Sequence, residues 1–219
     1  MRVLAVDTTT ARGSVAVVED DEVRGEVRLV SAESHSQRVL PAIALLLESL
    51  GLGPDRLEGY AVTVGPGSFT GLRVGISTVQ GLALASGRPC LGLPALDVLA
   101  ALIAGAADTL VAMIDAYRDE VFVGVYDRDA QPVSAHRVGP PERAIEGLPG
   151  PAAFVGDGAE RHRVRIVARC RDAIFPALEP FLAGMLGRLA APRLAAGEGV
   201  GPEALRPLYL REAAIRRSP

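Results

Sequence analysis

"VLAVDTTTARGSVAVVEDDEV", Val3 to Val23, reads as an apolar strand ending in an aspartate, a polar turn, and a second strand ending in acids. The same layout returns as "LVAMIDAYRDEVFVGVYDRDAQPV", Leu110 to Val133, with Asp115 in the place of Asp7. Farther along, "PAAFVGDGAERHR" repeats the strand, glycine turn and helix start of "GYAVTVGPGSFTG", so that Gly156 and Gly158 match Gly65 and Gly67. Two matches in the same order read as a duplication, with a boundary near Ile103 to Thr109, where "AGAADT" is small and polar.

Within the first half, residues 3 to 30 read as three consecutive antiparallel strands. "SHSQRVLPAIALLLESLGLG" then opens with Ser34 and Gln37 in capping-box spacing and closes at Gly51 or Gly53, a helix with Pro41 near its first turns. A buried strand, a second helix from "GPGSFTGLRVGISTVQGLALA" and a strand-plus-helix in "RPCLGLPALDVLAALIAG" complete the order βββαβαβα. The expected domains are 1–105 and 106–219, the second reduced, with a last helix at about 203–219 packing back on the first. Two related βββαβα halves are the pattern of the α/β fold shared by actin-like ATPases, sugar kinases and Hsp70, although fold alone does not fix function.

Composition narrows the chemistry. At 49% hydrophobic and 22% charged residues, the 219-residue chain has the balance of a soluble globular protein. Cys90 and Cys170 are far apart, without disulfide or zinc spacing, and no apolar stretch is long enough to span a membrane, so the expected home is the cytoplasm. All 23 cationic residues are arginine, which removes the P-loop lysine, the kinase strand lysine and any Schiff base. The histidines, at 35, 136 and 162, never form H-x-x-x-H. A net charge of -3 with 4% aromatics is a poor footprint for gripping nucleic acid. "RHRVRIVARCRD", Arg161 to Asp172, reads as a solvated face, with a weak tRNA contact as its alternative.

Two turns could carry phosphate. Asp7, Thr8 and Thr9 match a phosphate loop by type, or Asp7 hydrogen-bonds its own turn. The Gly65 loop fits neither the P-loop nor the dinucleotide fingerprint, and has two readings. Either Ser68 and Thr70 help its amides hold an anion, or Gly71, Gly75 and Thr78 form a small-residue stripe inviting another helix; packing is favoured. From Val39 through Leu47 there is no polar side chain. Val39, Leu40, Ile43, Leu46 and Leu47 are expected to cover the sheet, leaving Ala42 and Leu45 apolar elsewhere, as on an association surface.

"LAVDTT", "HSQRVLPAI", "GPGSFTGLRVGISTVQGLA", "IDAYRDEVFVGVY", "FVGDGAER" and "RPLYLR" together resemble the TsaB (YeaZ) family over residues 4 to 211. The resemblance implies an actin-like fold, a homodimer alone, and a heterodimer with TsaD, working with TsaE, to make threonylcarbamoyladenosine in tRNA. It implies a required, non-catalytic subunit with no metal or cofactor of its own, ATP entering only at the level of the complex. Aligned on TsaD-type relatives, Ala95 and Leu99 occupy the metal-histidine positions, with Asp97 between them. Tyr117 stands where many relatives have arginine. The expected partner contacts are His35, Arg38, Val39, Leu40, Ile43, Leu46, Leu47, Gly71, Leu72, Gly75 and Thr78. Vestigial phosphate contacts are expected at Asp7, Thr8, Thr9, Gly67, Ser68 and Thr70. The competing expectations are a small actin-like ATPase or phosphotransferase, and a metallopeptidase-like protein.

Overall fold

The computed structural model describes residues 1–30, 35–148 and 150–210. Strands β1 (Arg2–Asp7), β2 (Arg12–Glu19) and β3 (Glu22–Val30) form the antiparallel meander. Helix α1 (His35–Ser49), strand β4 (Gly59–Gly65), helix α2 (Phe69–Ser86), strand β5 (Cys90–Pro94) and helix α3 (Ala95–Leu102) follow. β4 and β5 add in parallel beside β1, giving the sheet order β3-β2-β1-β4-β5. Ser34 of the expected capping box lies outside the described residues.

The second half repeats the start of this plan with β6 (Thr109–Asp115), β7 (Val121–Asp127), β8 (Arg137–Gly139), α4 (Pro141–Ala144) and β9 (Ala152–Val155), in the sheet order β8-β7-β6-β9. β8 has only three residues, and the place of β5 is held by a single parallel bridge, in which Ile174 pairs beside Ala153 of β9. Helices α5 (Asp157–Arg161) and α6 (Arg163–Arg169) are short, and α7 (Ala183–Ala195) is the last helix among the described residues.

Strand alternation distributes the core. In β1, Leu4 and Val6 point to the side covered by α1 and α2, meeting Val39, Ile43, Leu46, Leu47, Ile76 and Val79. Val3 and Ala5 point to the opposite side, where α3 and α7 fill the space between the two sheets with Leu96, Leu99, Leu186 and Ala190. α7 comes close because it is small on that face: a Cβ at Gly187 would lie 2.4 Å from the Val18 side chain. Buried Ser14 fixes its start by accepting a 3.0 Å hydrogen bond from the Ala183 amide. Among the described residues the helix that returns to the first sheet is α7, and the helix expected from about 203 does not form as far as Leu210. Residues Pro202–Ala204 form a single 3-10 turn, and an irregular strap runs on to Leu210. The remainder of the expected helix, 211–219, lies outside the described residues.

Candidate functional site

The turns after β1 and β6 and the loops opening α2 and α5 meet at the carboxyl ends of parallel strands, where α/β folds place their ligands. They enclose a cleft of about 230 Å³ lined by Thr9, Thr10, His35, Ser68, Thr70, Asp115, Tyr117 and Asp157, among others. His35 reaches it from the first turn of α1, its Nε2 lying 2.8 Å from the Thr10 carbonyl.

On the first-half side, the cradle is filled by the chain itself. Cβ atoms placed at Gly67 and Gly71 would fall 2.5 and 2.0 Å from the carbonyl oxygens of Thr9 and Thr8, and one at Gly75 2.4 Å from Thr8 Oγ1. No side chain fits such gaps, so the glycines exist to admit the β1 turn. Its hydrogen bonds close the contact: the Ser68 amide donates to the Thr9 carbonyl (2.7 Å), Thr8 Oγ1 donates to the Gly71 carbonyl (2.8 Å), and the Gly71 amide donates to Ser68 Oγ. Asp7 is buried and faces inward. Its Oδ1 accepts from Thr63 Oγ1 (2.6 Å), Thr9 Oγ1 (2.7 Å) and the Thr9 amide, while Oδ2 has no partner among the described residues. Burial pushes the Asp7 carboxyl above the usual range, outweighing these hydrogen bonds, which pull it down.

Of the residues expected to hold phosphate, Asp7, Thr8 and Thr9 are therefore interior, and Gly67 is committed to packing. Thr9, Ser68 and Thr70 still line the cleft. The opposite wall is acidic: Asp157 Oδ1 accepts from the Asp115 amide at 3.0 Å, and Asp115 Oδ2 accepts from Arg161 at 2.7 Å. Burial, with the nearby Asp115 charge adding, raises the Asp157 carboxyl. Two carboxylates on one wall oppose a phosphate.

The small-residue stripe of α2 is an internal contact. Gly71, Leu72 and Gly75 are buried within this chain, as are Val39, Ile43, Leu46 and Leu47, so none of these seven offers its side to another subunit. Helical phase explains the pattern. Val39, Ala42, Ile43, Leu46 and Leu47 recur at i, i+3, i+4, i+7 and i+8 and face the sheet, whereas Leu40 turns outward with Pro41, Ala44 and Leu45. Leu40 and Leu45 are each 55% exposed. On α2 the outward stripe runs through Phe69, Arg73, Ser77, Gly81 and Leu84, the last 75% exposed. His35, Arg38 and Thr78 are half-buried beside this face. Leu45, Phe69 and Leu84 are the large apolar outward residues missing from the expected contacts; stepping by three and four along α2 from Arg73 through Ser77 and Gly81 would have found Leu84.

Elsewhere, Ala95 and Leu99 are buried in the core between the sheets. Asp97 Oδ1 accepts from Tyr126 Oη at 2.7 Å and lies 2.9 Å from His136 Nε2. Burial and the Asp97 charge push the Tyr126 phenol far up. In the arginine run, Arg161 is bound to Asp115, Arg163 lies 4.3 Å over the Phe175 ring, and Arg165 joins Glu142 and Asp119. These three are spent inside the chain. No helix among the described residues is long and apolar enough to cross a membrane.

A family model described as TsaD, tRNA N6-adenosine threonylcarbamoyltransferase, matches residues 20–179. The Escherichia coli K12 "tRNA threonylcarbamoyladenosine biosynthesis protein TsaB" is 33% identical, across 96% of this chain and 95% of that protein. The solved structure of YeaZ from Pseudomonas aeruginosa superimposes with a TM-score of 0.81 at 32% identity, covering 95% of this chain and 99% of that one. An activator of 2-hydroxyisocaproyl-CoA dehydratase from Clostridium difficile shares the fold at 11% identity and a TM-score of 0.56, covering 95% of this chain and 100% of that one. The fold is the actin-like one, and by identity over nearly its full length the chain belongs to the TsaB family of tRNA threonylcarbamoyladenosine biosynthesis proteins.

Proposed function

We propose that this chain is the non-catalytic partner of a tRNA N6-adenosine threonylcarbamoyltransferase of the TsaD type, docking through the outer face of α1 and α2. The observation that carries the reading is the outward apolar set Leu40, Ala44, Leu45 and Leu84, on two neighbouring helices whose inner faces already cover the sheet. Removing each large side chain from water contributes about 1.5–3 kcal/mol, enough for three leucines to anchor an interface. A second copy of this chain competes for the same face, giving a homodimer when the partner is absent.

The cleft supports an assisting role. Its glycine loop is occupied by the β1 turn, Asp7 points inward, and its far wall carries Asp115 and Asp157, so ATP belongs to the complex rather than to this chain. Metallopeptidase chemistry has no support from apolar Ala95 and Leu99. TsaE joins the assembled complex, in the cytoplasm.

Reconstitution tests this directly. tRNA modification by the transferase should require this chain, and Leu45→Asp or Leu84→Asp should abolish both co-purification and modification. Full activity without the chain, or tight ATP binding lost on Asp7→Ala, would favour the independent-ATPase reading instead.

A further inference from the structure

The outer stripe of α2 begins with an ordered stack. The Arg73 guanidinium lies 4.0 Å over the Phe69 ring, and the Tyr209 ring stacks with the same Phe69, their centroids 5.5 Å apart at 30°. Phe69 and Tyr209 are 42% and 43% exposed, and Arg73 is exposed with no acidic partner among the described residues. An isolated stack of this kind on a solvated surface would lose its order, yet this one is held from behind. The strap carrying Tyr209 buries Leu205, bonds the Leu208 amide to the Val64 carbonyl at 2.7 Å, and offers the Pro202 carbonyl to Gln80 Nε2 of α2 at 2.9 Å. A Cβ at Gly65 would lie 2.8 Å from the Leu208 carbonyl, so the strap sits hard against the same loop that seats the β1 turn.

Resting on the docking face proposed above, we infer that Arg73, Phe69 and Tyr209 are its anchor, and that they receive a carboxylate-bearing helix of the transferase. Three observations support this. Phe69 and Arg73 are continuous with the Ser77, Gly81 and Leu84 stripe on one face of α2, and Tyr209 joins them from the strap. Arg73 is the sole charge of α2, so an opposing carboxylate would meet no competing acid from that helix. Aromatic and arginine side chains already fixed in place give up little rotamer freedom on binding, which is what makes such residues dominate interfaces. One face of the guanidinium is covered by Phe69, which leaves its N–H edge to form a paired contact with a carboxylate.

The test is the affinity of the full chain for the purified transferase as salt is varied. Arg73→Gln and Tyr209→Ala should each weaken binding by about tenfold or more, and Arg73→Gln should remove most of the salt dependence. Arg73→Lys should restore the salt dependence while remaining weaker than wild type, because lysine keeps the charge and loses the fork and the stack. Melting curves check that each variant is folded. If Leu45→Asp and Leu84→Asp abolish the complex while Arg73→Gln and Tyr209→Ala bind as wild type does, the anchor is wrong and the docking face stands. If none of the four has an effect, the docking face itself is wrong. A loss on Arg73→Gln that is equal at every salt concentration overturns the carboxylate.

Discussion

After β1 the chain passes beneath α2, where the Thr8 carbonyl would lie 2.0 Å from a Cβ at Gly71; near the end of β6 the Met113 carbonyl would lie 2.1 Å from one at Gly156, the residue just before α5. The two crossings are one construction used twice, and they end differently. Asp7 is sealed in by Thr9 and Thr63, and α2 continues for 18 residues with an apolar outer stripe. Asp115 stays at the cleft wall bound to Arg161 of α5, and α5 and α6 have only five and seven residues, with Glu160 of α5 paired to Arg12 and Arg165 of α6 to Asp119 and Glu142. The first half thus leaves an apolar outer face on its helices, while the short helices of the second carry ion pairs. A duplicated scaffold lets one copy specialise because the other need only keep the core between the sheets filled.

Glycine substitution should break this comparison most severely. Gly71→Ala drives a methyl group into the Thr8 backbone, which cannot yield without moving β1, and should cost more than about 3 kcal/mol. At Gly158, where the nearest backbone atom would be 2.9 Å away, the same change should cost about 1–3 kcal/mol. Urea denaturation of the two variants measures the difference, and equal losses would mean that the backbone yields no more readily at Gly158 than at Gly71.

The two faces of α1 offer the next contrast. Ile43→Ala removes a buried side chain and should destabilise the fold by about 2–5 kcal/mol. Leu45→Ala should leave urea unfolding within about 0.5 kcal/mol of wild type while weakening partner binding. A stability loss at Leu45 matching that at Ile43 would place it in the core.

Asp7 and Asp157 sharpen the comparison through pH. Both carboxyls are raised in the folded state, so the native chain holds protons that the unfolded chain releases above the ordinary aspartate value of about 3.9. Stability from these groups is present at low pH and falls as pH rises through the folded values. Asp7→Asn should flatten that fall, and Asp157→Asn, at a partly exposed position, should flatten it less. Urea midpoints followed from about pH 4 to pH 8 read out both slopes, and an unchanged slope for Asp7→Asn would mean that this carboxyl is ionised in the native state. The smallest effect is expected from Arg161→Ala, under about 1 kcal/mol, because the arginine is more than half exposed.

Much of this architecture is legible in the sequence, for reasons visible at particular residues. Strands β1 and β6 announce themselves because each ends an apolar run at an aspartate, and the duplication follows from Asp7 and Asp115 together with the glycine pairs. The outer face of α1 is harder. From Val39 to Leu47 every residue is apolar, so no polar side chain marks the phase, and Leu40 and Ala42 exchange places relative to expectation. Gly71 and Gly75 advertise a close approach without saying to what, and the answer, Thr8, lies some sixty residues earlier in a turn. The same limit hides Tyr209, whose stacking on Phe69 has no local signal, and the placement of α7, because small residues around Pro192 mark a helix with a proline break but not the sheet it packs on.

Thr8, Gly71 and Gly75 also have a consequence for descent. A larger residue at either glycine is tolerable only if the turn after β1 retreats, and a bulkier residue at position 8 is tolerable only if α2 lifts, carrying Leu84 and Arg73 with it. The three positions therefore form one unit of inheritance. Drift at any of them is felt on the outer helices, and lineages that keep the outer stripe of α2 should keep all three together.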